Sequence, residues 1–315
     1  MKKLIAILLL TTLLLCSCGT ASEDSGKITV VATLFPQYDF AREIAGENAD
    51  VKLLLDFGAD AHSYEPTPAD IVTIANADLF IYTGDDMELW AAKLLESADV
   101  KKAVDSGSLT VLDLSEHVEL ICFHEHEHEH EEEHDHSHGE EYDTHIWTSP
   151  ENAVKMSSAI ATSLSDIDAE NADKYQTNLE VYTAKLDALS EKMSMAAAAA
   201  AHDTAYFGGS FAFAYMFRDM GLSHVSIYEG CASHAEASAA DIADMVEKIK
   251  ASGAKYVLYD SASELKIAES VAAECGAEVL HIHAVHNITK VEFDAGETYI
   301  SLMEQNVETL RKALS

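Results

Sequence analysis

The sequence predicts an α/β protein of two lobes, each a parallel sheet flanked by helices, joined by one long rigid helix. Three observations carry this expectation. Short apolar, β-rich runs alternate with helical patterns through the first half of the chain, and the scheme restarts in the second half. Between the halves lies a long stretch with one narrow apolar stripe. Strands separated by helices imply a parallel sheet covered on both faces. At 315 residues and 48% hydrophobic, the chain is long enough for two lobes with substantial cores.

Residues 1–26 are set apart from the folded part. Met1-Lys2-Lys3 is a basic start, and the apolar run Leu4 to Leu15 is too short to anchor in a bilayer, which reads as a secretory signal peptide. In Leu15-Cys16-Ser17-Cys18-Gly19, Cys18 fits a lipoprotein cleavage site, with small Ser17 before it and Leu15 three positions back. Cys16 fits poorly, because Leu15 falls at the small position. Cleavage without lipid is the alternative. Thr20 to Gly26 is then a polar tether, and the expected location is the outer face of the cell membrane or the periplasm, by lipid anchor.

Residues 27–165 form the predicted N-terminal lobe, with strands at Ile28–Ala32, Val51–Leu55, Leu79–Tyr82 and Leu109–Leu112. Thr67-Pro68-Ala69-Asp70 is a helix start: Thr caps, Pro takes the first helical position and Asp complements the first turn. Ser149-Pro150 repeats that logic. Residues 166–203 are predicted as the linker helix, because Tyr175, Leu179, Tyr182, Leu186, Leu189 and Met193 recur at steps of four and three. The alanine run Ala196 to Ala201 extends it with the best helix propensity available. A coiled-coil or bundle helix is the alternative reading of that stripe. Residues 204–315 form the predicted C-terminal lobe, with strands at Thr204–Phe207, Val225–Ile227, Tyr256–Tyr259 and Glu278–Ile282, a helix from about Ser238 to Ala251 and a closing helix from Glu297 to Ala313.

The net charge of −35 becomes −37 without Lys2 and Lys3; it repels nucleic acid and anionic lipid and concentrates cations at the surface. Beyond the signal region there are three cysteines, Cys122, Cys231 and Cys275, so one disulfide at most is expected and a thiolate zinc-finger site is not.

Histidine placement carries the chemistry. The segment from His124 to Glu141 reads HEHEHEHEEEHDHSHGEE, with almost no apolar residue, and is a solvated loop. Imidazole is a common ligand for borderline metals such as zinc, and carboxylates offset the ion's charge. His124, His126, His128, His130, His134, His136 and His138 therefore read as an exchangeable, multi-site metal binder; a nonspecific acidic loop or an internal tag are the bland alternatives. The matches to His-Glu-x-x-His at His124–His128 and His130–His134 are accidents of low complexity, since that motif needs a helix in apolar sequence. Three further histidines sit in ordered contexts. His62 follows the strand at Val51–Leu55, His145 leads into the Ser149-Pro150 helix, and His286 follows the strand at Glu278–Ile282. Ligands of open α/β sheets bind outside the carboxyl ends of strands, where His62 and His286 lie.

The segments Gly58 to Asp70 and Asp143 to Pro150 resemble the two most specific motifs of the ZnuA/TroA-type family, metal-binding lipoproteins of zinc and manganese ABC importers with a long linker helix. The resemblance covers essentially the whole chain after the leader. It implies His62 and His145 as ligands from the first lobe, Zn2+ rather than Mn2+ as the carried ion because of the His-rich loop, and an ABC permease as partner of a monomeric carrier. The second lobe departs from the family pattern. Ser210 stands at the position of the family's His or Glu, opening the stretch Phe211-Ala212-Phe213-Ala214-Tyr215 to Gly221, and a serine hydroxyl is a poor zinc ligand. The family's usual Asp falls near His286-Asn287, which brings in His286 as the ligand of that lobe. The remaining position is open to water, Glu236, His283 or a loop histidine, with Glu229 and His234 as weaker candidates. Three neutral imidazoles imply affinity that falls as pH drops through the histidine range near 6.5. The competing readings are a zinc-dependent hydrolase, with Glu65 near His62 as a base, and a metal-storing or adhesive surface protein. No enzymatic nucleophile motif is present, and the expectation is a carrier, not an enzyme.

Overall fold

The computed structural model describes residues 26–122, 142–229, 237–261 and 264–315. Two four-stranded, all-parallel sheets form the two lobes. In the first, β1 (Ile28–Ala32) lies between β2 (Ala49–Leu53) and β3 (Leu79–Tyr82), with β4 (Thr110–Asp113) beyond β3. In the second, β5 (Thr204–Phe211) lies between β6 (Ser223–Glu229) and β7 (Tyr256–Tyr259), with β8 (Glu278–His281) beyond β7. β1, β3 and β7 fall where the alternation of apolar runs predicts them. β2 begins two residues earlier than expected, leaving Leu54 and Leu55 to start the loop that carries His62. β5 runs on to Phe211, with an irregularity in its pairing to β6 between Phe207 and Ser210.

The helices start where their caps dictate. α1 (Phe35–Ala45) follows β1. α2 (Pro68–Ala75) opens with a capping box, in which the Thr67 amide donates to the Asp70 carboxylate at 2.7 Å and the Thr67 hydroxyl accepts from the Asp70 amide. Short α3 (Ala91–Leu95) and α4 (Ala98–Asp105) precede β4. α5 (Pro150–Ile167) begins with Ser149 Oγ accepting from the Asn152 amide at 3.2 Å. In the second lobe, α7 (Ala214–Met220), α8 (Ala239–Ser252), α9 (Leu265–Cys275) and α11 (Tyr299–Ala313) pack against the sheet, while α10 (Lys290–Ala295) lays Phe293 against Tyr38 and Phe57 of the first lobe.

The long helix α6 (Ala172–Ala198) carries the predicted stripe, and Tyr175, Leu179, Tyr182, Leu186, Leu189 and Met193 are all buried. Each such side chain contributes about 1.5–3 kcal/mol by leaving water. At 27 residues the helix spans about 40 Å. It is not a bare strut: it packs against α1 and α5 of the first lobe and α11 of the second. It stops short of the expected Ala201, because the Ala201 and His202 amides pair instead with the Leu314 carbonyl at 2.8 and 3.2 Å. One apolar cluster runs without a break from Val30 and Leu79 through the α6 stripe to Phe207 and Leu258. The buried Asp39 carboxylate of α1 adds a polar tie, accepting from the Tyr299 amide at 2.9 Å. A shared core of this kind restricts the lobes to small relative motions. Among the described residues no helix is long and apolar enough to cross a membrane.

Candidate metal centre

His62 sits in the loop after β2. That loop is fastened across the cleft: the Gly58 amide donates to the Ile288 carbonyl at 3.0 Å, and Asn287 Nδ2 donates to the carbonyls of Asp56 and Ala59 at 2.9 and 2.6 Å. The His62 amide donates to Asp60 Oδ1 at 2.9 Å. His145 lies just ahead of a 3-10 turn at Ile146–Thr148 that leads into α5. It is buried, and Asp143 Oδ1 accepts both its amide, at 2.7 Å, and its Nδ1–H, at 3.0 Å. That carboxylate fixes the tautomer and leaves the lone pair on Nε2, the arrangement by which outer carboxylates orient metal-ligating histidines. Tyr215 braces the same segment, donating to the Asp143 carbonyl at 2.7 Å and accepting from the Ile121 amide at 3.1 Å.

His286 enters from the opposite lobe, past β8. The residue before it, Val285, has φ of 64°, a left-handed conformation that a β-branched side chain adopts at a cost of about 1–3 kcal/mol. Its neighbours hold it there. The Val285 amide donates to His283 Nδ1 at 2.8 Å, the Ala284 amide to Asp260 Oδ1 at 2.8 Å, and Trp147 Nε1 to the Ala284 carbonyl at 2.7 Å. The His286 carbonyl in turn accepts from the Phe35 amide at 3.3 Å. Bonds from both lobes thus fix the backbone that presents this imidazole.

The three imidazoles converge. The His62 ring centroid lies 5.7 Å from that of His145 and 6.2 Å from that of His286. Two imidazoles on one zinc at about 2.0–2.1 Å, tetrahedrally arranged, place their centroids about 5 Å apart. The observed spacing is therefore open by on the order of 1 Å relative to a closed zinc site. Consistent with that, among the described residues no group of three His, Cys, Asp or Glu side chains already closes on one point. His286 Nδ1 is buried without a hydrogen-bond partner. Burial, reinforced by the neighbouring imidazoles His145 and His286, pulls the His62 ring down to about 4. Burial and His145 do the same to His286, also to about 4. The expected titration near 6.5 therefore does not hold for these two rings: a desolvated cluster of bases resists charging.

The other sequence-derived candidates fall elsewhere. Ser210, at the end of β5, gives its amide to Glu264 Oε1 at 2.7 Å and makes no hydrogen bond to the three histidines. His283 turns Nδ1 to the Val285 amide, so its neutral ring carries the proton on Nε2, which faces Glu292 Oε1 at 3.8 Å. That tautomer offers no lone pair toward the cleft. Asn287 commits both donors to Asp56 and Ala59 and its oxygen to the Ile288 amide, acting as a clasp between the lobes. Cys18, the loop histidines His124, His126, His128, His130, His134, His136 and His138, Cys231, His234 and Glu236 lie outside the described residues, as does the side chain of Glu229. Cys122 and Cys275 are free thiols. Sequence reasoning passed over Asp143 and Asn287 as working residues. The Asp-x-His spacing is a signal that could have found the first; nothing local marks the second.

The family model described as ZnuA, zinc-uptake complex component A periplasmic, matches residues 30–313. The zinc-binding lipoprotein AdcA of Streptococcus pneumoniae is 32% identical over 316 residues, covering 99% of this chain and 61% of that protein. The chain thus spans about three fifths of the length of that relative. The high-affinity zinc uptake system protein ZnuA of Bacillus subtilis is 32% identical over 296 residues, covering 94% of this chain and 90% of the relative. Among solved structures, the Zn(II)-bound ZnuA-like domain of Streptococcus pneumoniae AdcA superposes with a TM-score of 0.75 at 28% identity, covering 92% of this chain and 99% of that domain. The fold, the linker helix and the match across nearly the whole chain agree, and the chain belongs to the ZnuA family of zinc-uptake components.

Proposed function

We propose that the chain is an extracytoplasmic, lipid-anchored solute-binding protein that captures Zn2+ in the cleft between its lobes and delivers it to an ABC-type importer. His62 and His145 hold the ion from one lobe and His286 from the other, with a water or a carboxylate completing a tetrahedron. The observation that carries this reading is the convergence of the three imidazoles within about 6 Å of His62, from loops that both lobes fix. Neutral, desolvated imidazoles suit a borderline divalent ion, and a contraction on the order of 1 Å suffices to close the set. The similarity to a zinc-binding lipoprotein and to a zinc uptake system protein supports the same ion and the same task.

Because one core joins the lobes, capture and release take place by small shifts of the binding loops against α6 rather than by wide domain opening. The His-rich segment around His124 to His138 is proposed to gather ions outside the cleft, and Cys18 to carry the lipid. Native mass spectrometry with metal analysis tests the central point, on the chain lacking residues 124–141 and on the same chain with His62→Ala. One tightly held zinc, lost in the variant, is the expected result. Retention of that zinc without His62 would remove the cleft assignment.

A further inference from the structure

The peptide unit between Ala284 and Val285 decides where His286 points, and it is gripped at both ends. Its carbonyl accepts from Trp147 Nε1 at 2.7 Å, from the first-lobe segment that carries His145. Its N–H donates to Nδ1 of His283 at 2.8 Å. A peptide unit turns as one rigid plate, so its orientation sets ψ of Ala284 and φ of Val285 together. Rotating the plate is the simplest way for Val285 to leave its φ of 64°, and the two grips oppose that rotation.

The His283 grip has a fixed base. Asn306 of α11, itself buried, accepts from the His283 amide at 2.8 Å and donates to the His283 carbonyl at 2.7 Å. The ring therefore stands on a backbone clamped to a helix, and the Val285 amide is the end it restrains. The bond runs from a side-chain acceptor to the amide two residues on, the closure that asparagine and aspartate make in Asx turns. The turn also has room to relax: a cavity of about 240 Å³ adjoins it, with Asp260, His283, His286, Asn287 and Glu292 in its wall.

We propose that His283 is a positioning residue for the ligand His286. Its Nδ1, together with Trp147 Nε1, locks the Ala284–Val285 peptide in the orientation that presents the imidazole to the cleft. The inference rests on the zinc-capture reading and adds what keeps the second-lobe ligand in place before the ion arrives. His283 stays off the ion and acts through Val285. Removing its acceptor leaves a buried amide without a partner and a strained torsion without the bond that offsets it. A site whose competent orientation is populated in about one molecule in ten binds about tenfold more weakly.

The test uses the full chain and a chromophoric chelator tight enough to strip zinc from exposed histidines. His283→Ala should weaken zinc binding about tenfold or more. His283→Asn should restore the affinity to within about threefold of wild type, because its Oδ1 accepts the same amide. In a Val285→Gly background, where positive φ carries no steric penalty, His283→Ala should cost no more than about threefold. Two measurements on metal-free protein are independent of zinc. Nitrogen NMR of wild type should show His283 protonated on Nε2, and the Val285 amide should exchange faster in His283→Ala than in wild type or His283→Asn. The proposal is overturned by an Nδ1–H tautomer, by His283→Asn binding as weakly as His283→Ala, or by a loss undiminished in Val285→Gly. If wild type itself holds no zinc against the chelator, the capture reading fails and the role of His283 falls with it. That result differs from failure of the lock alone, in which wild type binds zinc and asparagine does not restore what alanine removes.

Discussion

Acidifying the solution from about pH 7.5 to about 5.5 should leave the zinc affinity of the cleft nearly unchanged so far as His62 and His286 determine it. A proton competes for a ligand nitrogen by a factor that depends on how far the pH lies below the ligand's pKa. Two ligands at the ordinary value of 6.5 each forfeit about tenfold at pH 5.5, about a hundredfold together, or roughly 2.8 kcal/mol. With both rings held at about 4, the same change forfeits only a few per cent from each. The physical cause is desolvation and the crowding of imidazoles, either of which makes imidazolium costly before any metal arrives. The assay is competition against a chromophoric chelator of known proton dependence, on the chain without residues 124–141 so that exposed loop imidazoles do not contribute. A loss approaching a hundredfold across that interval would show that these rings titrate as ordinary histidines, and the electrostatic reasoning would be refuted.

The same shifts set the stability of the metal-free protein. Both folded-state values lie below 6.5, so the unfolded chain binds more protons between about 4 and 6.5; the contribution is complete above 6.5 and declines as pH falls toward 4, and thermal melts should show the metal-free Tm falling across that window. His286→Ala should weaken zinc binding by at least about a hundredfold, and Asp143→Asn by about ten- to a hundredfold through loss of the acceptor that orients His145, both measured by chelator competition. Asn287→Ala removes the clasp to Asp56 and Ala59 and should destabilise the fold by about 2–3 kcal/mol in urea unfolding while loosening the His62 loop. Tyr215→Phe deletes the hydroxyl that bridges Ile121 and Asp143 and should cost about 1–3 kcal/mol by the same measurement; an unchanged midpoint would mean that the bridge does not hold the His145 segment.

Much of the molecule was legible in the sequence because its signals are local and periodic. The six-residue stripe from Tyr175 to Met193 records which side of a helix must be buried, whatever it meets, and all six are buried. Thr67-Pro68 and Ser149-Pro150 start helices because the cap and the fixed proline torsion act within one turn. Strand ends were less legible. β2 and β5 begin and end where their neighbours in the sheet allow, and the last turn of α6 gives way to pairing with Leu314. Those limits are set by partners distant in sequence.

The site divides along the same line. Placement beyond strand ends drew attention to His62 and His286, and the family resemblance of Gly58 to Asp70 and Asp143 to Pro150 singled out His62 and His145, neither of which needs coordinates. The sequence could not say that Asn287 clasps the His62 loop, that Val285 is held at positive φ, or that His283 has its lone pair turned away from the cleft. It read the imidazoles as neutral but placed their titration near 6.5, since an isolated histidine carries no record of how dry its surroundings are. Residue identity by itself determined which chemistry the chain can offer and which segments coil or extend. Only the tertiary structure decided distance, desolvation and tautomer, because each depends on which atoms from remote parts of the chain come to lie within a few ångströms of one another.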